Sequence, residues 1–183
     1  ARSWPPARPT GRGRGPTGKI VPTPVPADAP TISAAVSLAK PGDLVLVSAG
    51  VYHESVRIRT ARITLRGASR DKVVIDGHLQ QPNGVVVSAP GVAVENLTVR
   101  NNTQNGVLVT GSAKAAAGAP GQSGGYDTGD EPVTLLKSFL VSHVTATRNG
   151  LYGIYAFSVQ NGVIEHSYAS GSADSGFYVG QCE

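Results

Sequence analysis

Methionine is absent from this 183-residue chain, and cysteine and tryptophan occur once each. The lone cysteine, Cys182, excludes an internal disulfide and a metal site built from several thiolates. No apolar run approaches the ~18 residues that a membrane helix needs, so no membrane span is predicted. Charged residues make up only 15% of the chain, and the formal net charge is +4. A chain of this length can bury one sizeable core.

Basic residues are concentrated among prolines and glycines in the first twenty positions. A site for single-stranded nucleic acid would need aromatic side chains between them, and Trp4 is the one aromatic there. No nucleic-acid partner is therefore expected. The prolines continue to Pro30 and favour irregular, extended backbone. We predict a disordered linker over residues 1–30.

Glycine and valine are abundant in the rest of the chain, a composition typical of short strands joined by tight turns. Thr31 can cap a short helix that extends to Lys40, and its apolar face should cover the end of another structure. Strand-like runs follow without any further helical period, which favours an all-β fold. Those runs are 44–47, 51–58, 63–65 and 73–75.

An internal repeat defines the architecture. Three segments align over sixteen residues without a gap, and they begin at Val94 (VENLTVRNNTQNGVLV), Val141 (VSHVTATRNGLYGIYA) and Ile164 (IEHSYASGSADSGFYV). The last two start 23 residues apart, about one turn of a β-helix. The first two are 47 apart, and residues 111–134 between them are rich in glycine and alanine. We predict a flexible loop there that leaves the solenoid.

The run from Thr31 to Gly77 resembles the N-terminal cap and first coils of pectin-lyase-like β-helix proteins. The segment NGLYGIYAFSVQNGVIEHSYASGSADSGFYVGQC resembles bacterial secreted right-handed parallel β-helix repeat proteins, a group that includes carbohydrate-binding, sugar-hydrolase and NosD-like copper-handling modules. The resemblance implies a right-handed parallel β-helix over residues 31–183. The chain stops directly after a strand-like run. We therefore expect that this sequence is truncated and that the full-length protein continues into further C-terminal coils.

Alternation along the strands assigns side chains to the two sides of the sheet. Val107, Ile154 and Phe177 form a column that we point inward, and Leu108, Tyr155 and Tyr178 then form an exposed outer column. Tyr152 and Tyr168 lie in the same two coils as these tyrosines. A row of four tyrosines would be a platform for a sugar ring. The alternative is a self-stacking ladder that stabilises the sheet.

Asn96, His143 and His166 share a second column, at a turn between strands. We interpret it as a structural ladder, because β-helices of this kind stack asparagines inward at such turns and histidine can satisfy the same backbone groups. The alternative is a copper site on His143 and His166, which lacks an identifiable third ligand. No cofactor is predicted.

Carboxylates give little support for catalysis. Glu95 and Glu165 share an outward column, but Ser142 lies between them and nothing else supports a hydrolytic pair. Asp76 and Asp174 fit turn positions. The calcium-binding aspartates of the lyases and the aspartate sets of the polygalacturonases are incomplete here, so no catalytic residue is assigned, although the parent protein could be a polysaccharide lyase or hydrolase.

The sequence thus predicts a secreted, periplasmic or cell-surface module that binds polysaccharide or a cell-surface glycan. The alternatives are a structural or adhesive spacer and a NosD-like copper-maturation protein.

In the proteins that the last segment resembles, a second cysteine follows the Gly-Gln-Cys run within a few residues. That resemblance implies that Cys182 is half of a short-range disulfide in a longer chain, with half of a thiolate metal pair as the alternative.

Overall fold

A computed structural model describes residues 22–25, 29–112 and 134–182 of the chain. This part contains one helix, α1 (Ile32–Leu38), and thirteen strands. The strands are β1 (Pro22–Val25), β2 (Leu44–Val47), β3 (Gly50–Tyr52), β4 (Val56–Ile58), β5 (Thr64–Gly67), β6 (Val73–Asp76), β7 (Asn83–Val87), β8 (Val92–Arg100), β9 (Asn105–Thr110), β10 (Leu136–Thr147), β11 (Tyr152–Glu165), β12 (Tyr168–Ser170) and β13 (Ser175–Cys182).

Every strand pairing in the described residues is parallel, and the pairings divide the sheet into three faces. The first face has the order β1, β2, β5, β8, β10, β11. The second has β3, β6, β8, β10, β12. The third has β4, β7, β9, β11, β13. Each coil of chain thus contributes to all three faces in turn. The chain is a parallel β-helix, as predicted, and its handedness remains a prediction.

The repeat register is confirmed. Val94 pairs with Val141, and Val141 pairs with Ile164, so the three aligned segments occupy consecutive rungs. No coil intervenes across the 47-residue spacing, because β8 pairs directly with β10. Most of the predicted loop, residues 113–133, lies outside the described residues.

The helix α1 has the N-cap and the buried apolar face that the sequence predicts. The Thr31 side chain caps it by accepting a hydrogen bond from the Ala34 amide, and its apolar side is buried against the first strands. The carboxylate of Glu54 accepts hydrogen bonds from the Ile32 and Ser33 amides, at 2.9 and 2.8 Å. These bonds satisfy helix-terminal donors that would otherwise lack partners. No helix in the described residues could cross a membrane.

Two predicted boundaries are wrong. Pro22–Val25 form a strand that pairs with β2, so the linker predicted over residues 1–30 does not extend through them. Proline is tolerated there because β1 pairs with β2 alone and is an edge strand in the described part of the chain. The run predicted as one strand from Val51 to Ile58 contains two, β3 and β4, separated by a bend around Glu54.

The interior column is correct at the middle rungs and wrong at the last. Val107 and Ile154 are completely buried, but Phe177 is 44% exposed. The three residues share one column, since Ile154 pairs with both Val107 and Phe177. Phe177 lies in β13, which pairs with β11 alone, so no rung in the described residues covers its other side.

Candidate functional site

The predicted tyrosine platform is mostly buried. Tyr155 pairs with Leu108 and Tyr178 in the predicted outer column, yet Tyr155 and Leu108 are buried, at 4% and 3% exposure. Tyr152 is also buried, at 6%. The prediction that Leu108 and Tyr155 are exposed is therefore wrong. Facing outward does not guarantee exposure, because large rings on neighbouring rungs can cover one another.

Ring contacts explain this burial. Tyr155 lies 4.9 Å from Tyr152, 5.7 Å from Phe157 and 5.3 Å from Tyr178 between ring centroids. Tyr152 and Tyr178 stack almost in parallel, at 4.9 Å with an interplanar angle of 12°. The buried rings of Tyr152, Tyr155 and Phe157 form a second hydrophobic cluster with Val86 and Leu108, outside the main core. The self-stacking ladder is thus the structural role of Tyr152 and Tyr155.

Two of the four predicted tyrosines remain exposed, and the structure separates them. Tyr178 is 36% exposed and belongs to the stacked cluster on the third face. Tyr168 is 56% exposed but lies in β12 on the second face, where it pairs with Thr145. Burial raises the pKa of the Tyr152 hydroxyl, and the nearby carboxylate of Asp174 raises it further. Asp174 therefore lies near this cluster, in addition to its predicted place at a turn.

Burial raises the pKa of the Tyr155 hydroxyl far above 10, with further contributions from Tyr152, Tyr178 and Cys182. A group whose pKa is raised by folding stabilises the folded state below its unfolded pKa, which is about 10 for tyrosine. That stabilisation is lost as the pH rises beyond this value towards the folded pKa, because only the unfolded chain ionises the hydroxyl. Tyr155 should therefore make the fold sensitive to alkaline pH.

Tyr155→Phe should reduce this alkaline sensitivity while keeping the ring contacts. The free energy of unfolding, from urea titrations at pH 8 to 11, should fall more steeply above pH 10 for the parent chain than for the variant. Tyr168→Phe removes an exposed hydroxyl and is the matched control, which should follow the parent curve. A constant difference between the parent and Tyr155→Phe across this range would contradict the prediction.

The Asn96, His143 and His166 column is confirmed at one turn, although its histidines do not point inward. All three residues have left-handed backbone, with φ of 56°, 55° and 47°. Asparagine adopts this region more readily than most residues, and histidine also does so. The Asn96 side chain donates to the Gly67 carbonyl, but His143 and His166 are exposed. The turn conformation thus accounts for the column, and the expected inward stacking of its histidines is wrong.

The two histidine rings lie 4.9 Å apart, centroid to centroid. In the described residues, no third histidine, cysteine or carboxylate joins them in a group that could hold a metal. His143 Nδ1 lies 2.8 Å from the Ser142 hydroxyl, which also donates to Glu165 at 3.2 Å. The structure therefore offers no support for the copper alternative at this pair.

Paired-carboxylate chemistry gains no support either. Glu95 and Glu165 flank Ser142 on successive rungs, as predicted. Glu95 accepts a hydrogen bond from Arg66 at 2.6 Å, and Glu165 accepts one from Ser142. Each carboxylate thus already has a local partner on this outer surface.

A polar cavity that the sequence did not reveal lies near the start of the solenoid. It has a volume of about 220 Å³ and is lined by His53, Gly77, His78, Gln80 and Gln81. Asp76 lies beside it, and ligand atoms of His53, Asp76 and His78 all lie within 4.8 Å of one another. A signal was present in the sequence, because VYH at 51–53 and VID at 74–76 repeat at a spacing of 23.

Asp76 is buried and ionised. Burial alone would raise its pKa, but hydrogen bonds from the His78 amide, Asn101 and Arg100, with the charge of Arg100, hold it below its usual range. The Arg100 Nε donates to one carboxylate oxygen at 2.8 Å, and the His78 amide donates to the other at 2.9 Å. The carboxylate is therefore fixed in orientation beside the cavity, which is more than the turn role that the sequence predicted.

The structure has a distant likeness among the known proteins with solved structures. No family model matches the chain, and no curated protein matches it. The structure is similar to that of a pectin methylesterase from Yersinia enterocolitica, with 18% sequence identity and a TM-score of 0.38. The alignment covers 84% of this chain and 53% of that one, so the chain spans about half the length of the esterase. A TM-score of this size transfers no activity, and the β-helix assignment rests on the strand pairing.

Proposed function

We propose that this chain is an extracytoplasmic β-helix module that binds polysaccharide through the exposed ring of Tyr178. The observation that supports the proposal is the stacking of this ring on Tyr152, at 4.9 Å and 12°. Tyr155 contacts the same ring at an angle of 57°. The ring is thus held in place before any ligand arrives, which lowers the entropic cost of binding.

The surroundings of Tyr178 suit a sugar. The apolar face of a pyranose packs on an aromatic ring, and its hydroxyls need hydrogen-bonding partners at the ring's edge. The exposed carboxylate of Asp174 lies close enough to Tyr152 to raise the pKa of its hydroxyl. The proposal narrows the predicted platform of four tyrosines to one exposed ring supported by two buried ones.

Tyr178→Ala should weaken retention of the chain on a polysaccharide. Loss of one stacked aromatic contact is worth about 0.5–1.5 kcal/mol, or roughly a 2- to 13-fold increase in Kd. Affinity electrophoresis against a panel of neutral and acidic polysaccharides measures the effect. Tyr178→Phe keeps the stack and should retain most of the affinity. Tyr168→Ala, an exposed tyrosine on another face, is the matched control and should bind as the parent does.

Folding must be measured beside binding, since Tyr178 also packs on Tyr152. Far-UV circular dichroism and urea unfolding should show that Tyr178→Ala remains folded at the temperature of the binding assay. Equal retention of Tyr178→Ala and the parent chain would overturn the proposal and favour the structural spacer. Absence of retention on every polysaccharide in the panel would do the same.

A further inference from the structure

The cluster of His53, Asp76 and His78 carries an inference that is independent of the tyrosine site. We propose that these three side chains bind a divalent transition metal ion with the ligand preferences of Zn²⁺. Their ligand atoms lie within 4.8 Å of one another. The rings of His53 and His78 meet edge to face, with centroids 5.4 Å apart.

The fold positions the first two ligands by stacking. Tyr52 pairs with Ile75 in the register of β3 on β6. The residues that follow them, His53 and Asp76, therefore leave neighbouring rungs at the same point. Parallel rungs are about 4.8 Å apart, which brings side chains at equivalent positions within reach of one ion.

A left-handed turn positions the third ligand. His78 and Leu79 both have positive φ, 52° and 54°, and the Leu79 amide donates to the Asn101 carbonyl at 2.7 Å. Two consecutive non-glycine residues with left-handed backbone are strained, and a bulky side chain such as leucine rarely adopts this conformation. The turn begins two residues after Asp76, and the imidazole of His78 lies near that carboxylate and His53.

Two imidazoles and one carboxylate are a donor set that Zn²⁺ and its neighbours accept. Tetrahedral zinc with bonds near 2.0–2.1 Å requires its ligand atoms about 3.3 Å apart, so the separations in the cluster must shorten by at most roughly 1.5 Å. His53 and His78 are exposed and can rotate towards Asp76. The cavity of about 220 Å³ beside them leaves room for a water at the fourth position.

Arg100 and Asn101 are the partners that orient the carboxylate. Asn101 donates to both oxygens of Asp76, at 3.0 and 3.1 Å, and Arg100 donates to one. Carboxylates that bind metals are commonly held by such outer hydrogen bonds. The positive charge of Arg100 also opposes a second cation at the same carboxylate. The ion and Arg100 therefore compete, and removal of the guanidinium should favour the metal.

Isothermal titration of the chelator-treated full chain with Zn²⁺ tests the proposal, with Co²⁺ as a spectroscopic probe of coordination. One equivalent of Zn²⁺ should bind. His53→Gln and His78→Asn should each weaken it by at least about tenfold. Asparagine suits the left-handed backbone at position 78, so that variant should stay folded. Arg100→Gln should tighten binding, an effect that a purely structural role of the cluster would not produce.

His143→Asn and His166→Asn are the matched controls, since these exposed histidines lie at another turn. They should bind Zn²⁺ as the parent chain does. Absence of binding by the parent chain at 100-fold excess of Zn²⁺, or binding lost only in the two controls, would overturn the proposal. Neither outcome affects the polysaccharide assay on Tyr178, which is measured in the presence of chelator.

Discussion

Replacing Ile154 with alanine should reduce the free energy of unfolding by about 2–5 kcal/mol, the usual cost for a buried isoleucine. Ile154 is completely buried and pairs with Val107 on one side and Phe177 on the other. A solenoid coil packs only on its neighbours, so the cavity left by the missing methyl and methylene groups lies between rungs. Guanidinium titration followed by far-UV circular dichroism measures the loss.

Val163→Ala is the matched control for this prediction. Val163 lies in the same strand, β11, but is 49% exposed. Its truncation removes little buried surface and should change the free energy of unfolding by no more than about 0.5 kcal/mol. Equal destabilisation by the two variants would show that the interior column does not support the fold as described.

Replacing Asn149 with alanine is the second change with a large expected effect. Its side-chain oxygen accepts hydrogen bonds from the backbone amide of Asn102 at 3.2 Å and from its side-chain amide at 2.9 Å. Both asparagines are buried. The variant would leave two buried donors of Asn102 without this partner, at about 1–3 kcal/mol for each. The free energy of unfolding should therefore fall by about 2–6 kcal/mol in total.

A double-mutant cycle separates the hydrogen bonds from simple truncation. Asn102→Ala with Asn149→Ala removes the unpaired side-chain donor together with its acceptor, so the double variant should lose less stability than the sum of the single variants. The coupling should be about 0.5–3 kcal/mol, as for residues in direct contact. Strict additivity would contradict a shared hydrogen-bonded ladder. Gln80→Ala, an exposed amide, should leave stability unchanged.

Much of the fold could be predicted from the sequence because a solenoid repeats its requirements at each rung. Gly106, Gly153 and Gly176 share a column in the sequence, and the structure shows why. A Cβ on Gly106 would lie 2.6 Å from the Gly153 carbonyl oxygen, and one on Gly153 would lie 2.5 Å from that of Gly176. Only glycine permits the backbones of successive coils to approach each other this closely.

The exposure of the candidate site could not be predicted in the same way. Alternation along a strand fixes whether a side chain points in or out, and it correctly placed Tyr155 on the outer side of Ile154 and Ala156. This alternation does not predict which side chains cover a ring that points outward. Tyr155 is buried because Tyr152, Phe157 and Tyr178 contact it, and those contacts depend on ring orientations that no spacing specifies.

The sequence by itself determined the stacked coils, the capping helix and the turn that carries Asn96, His143 and His166, since each depends on local backbone preference and a repeated pattern. Only the tertiary structure decided where polar groups converge. His53 directly follows β3, Asp76 ends the strand β6 that pairs with β3, and His78 reaches both through a left-handed turn. Their proximity follows from the register between rungs and one backbone conformation, and both are settled only when the coils pack.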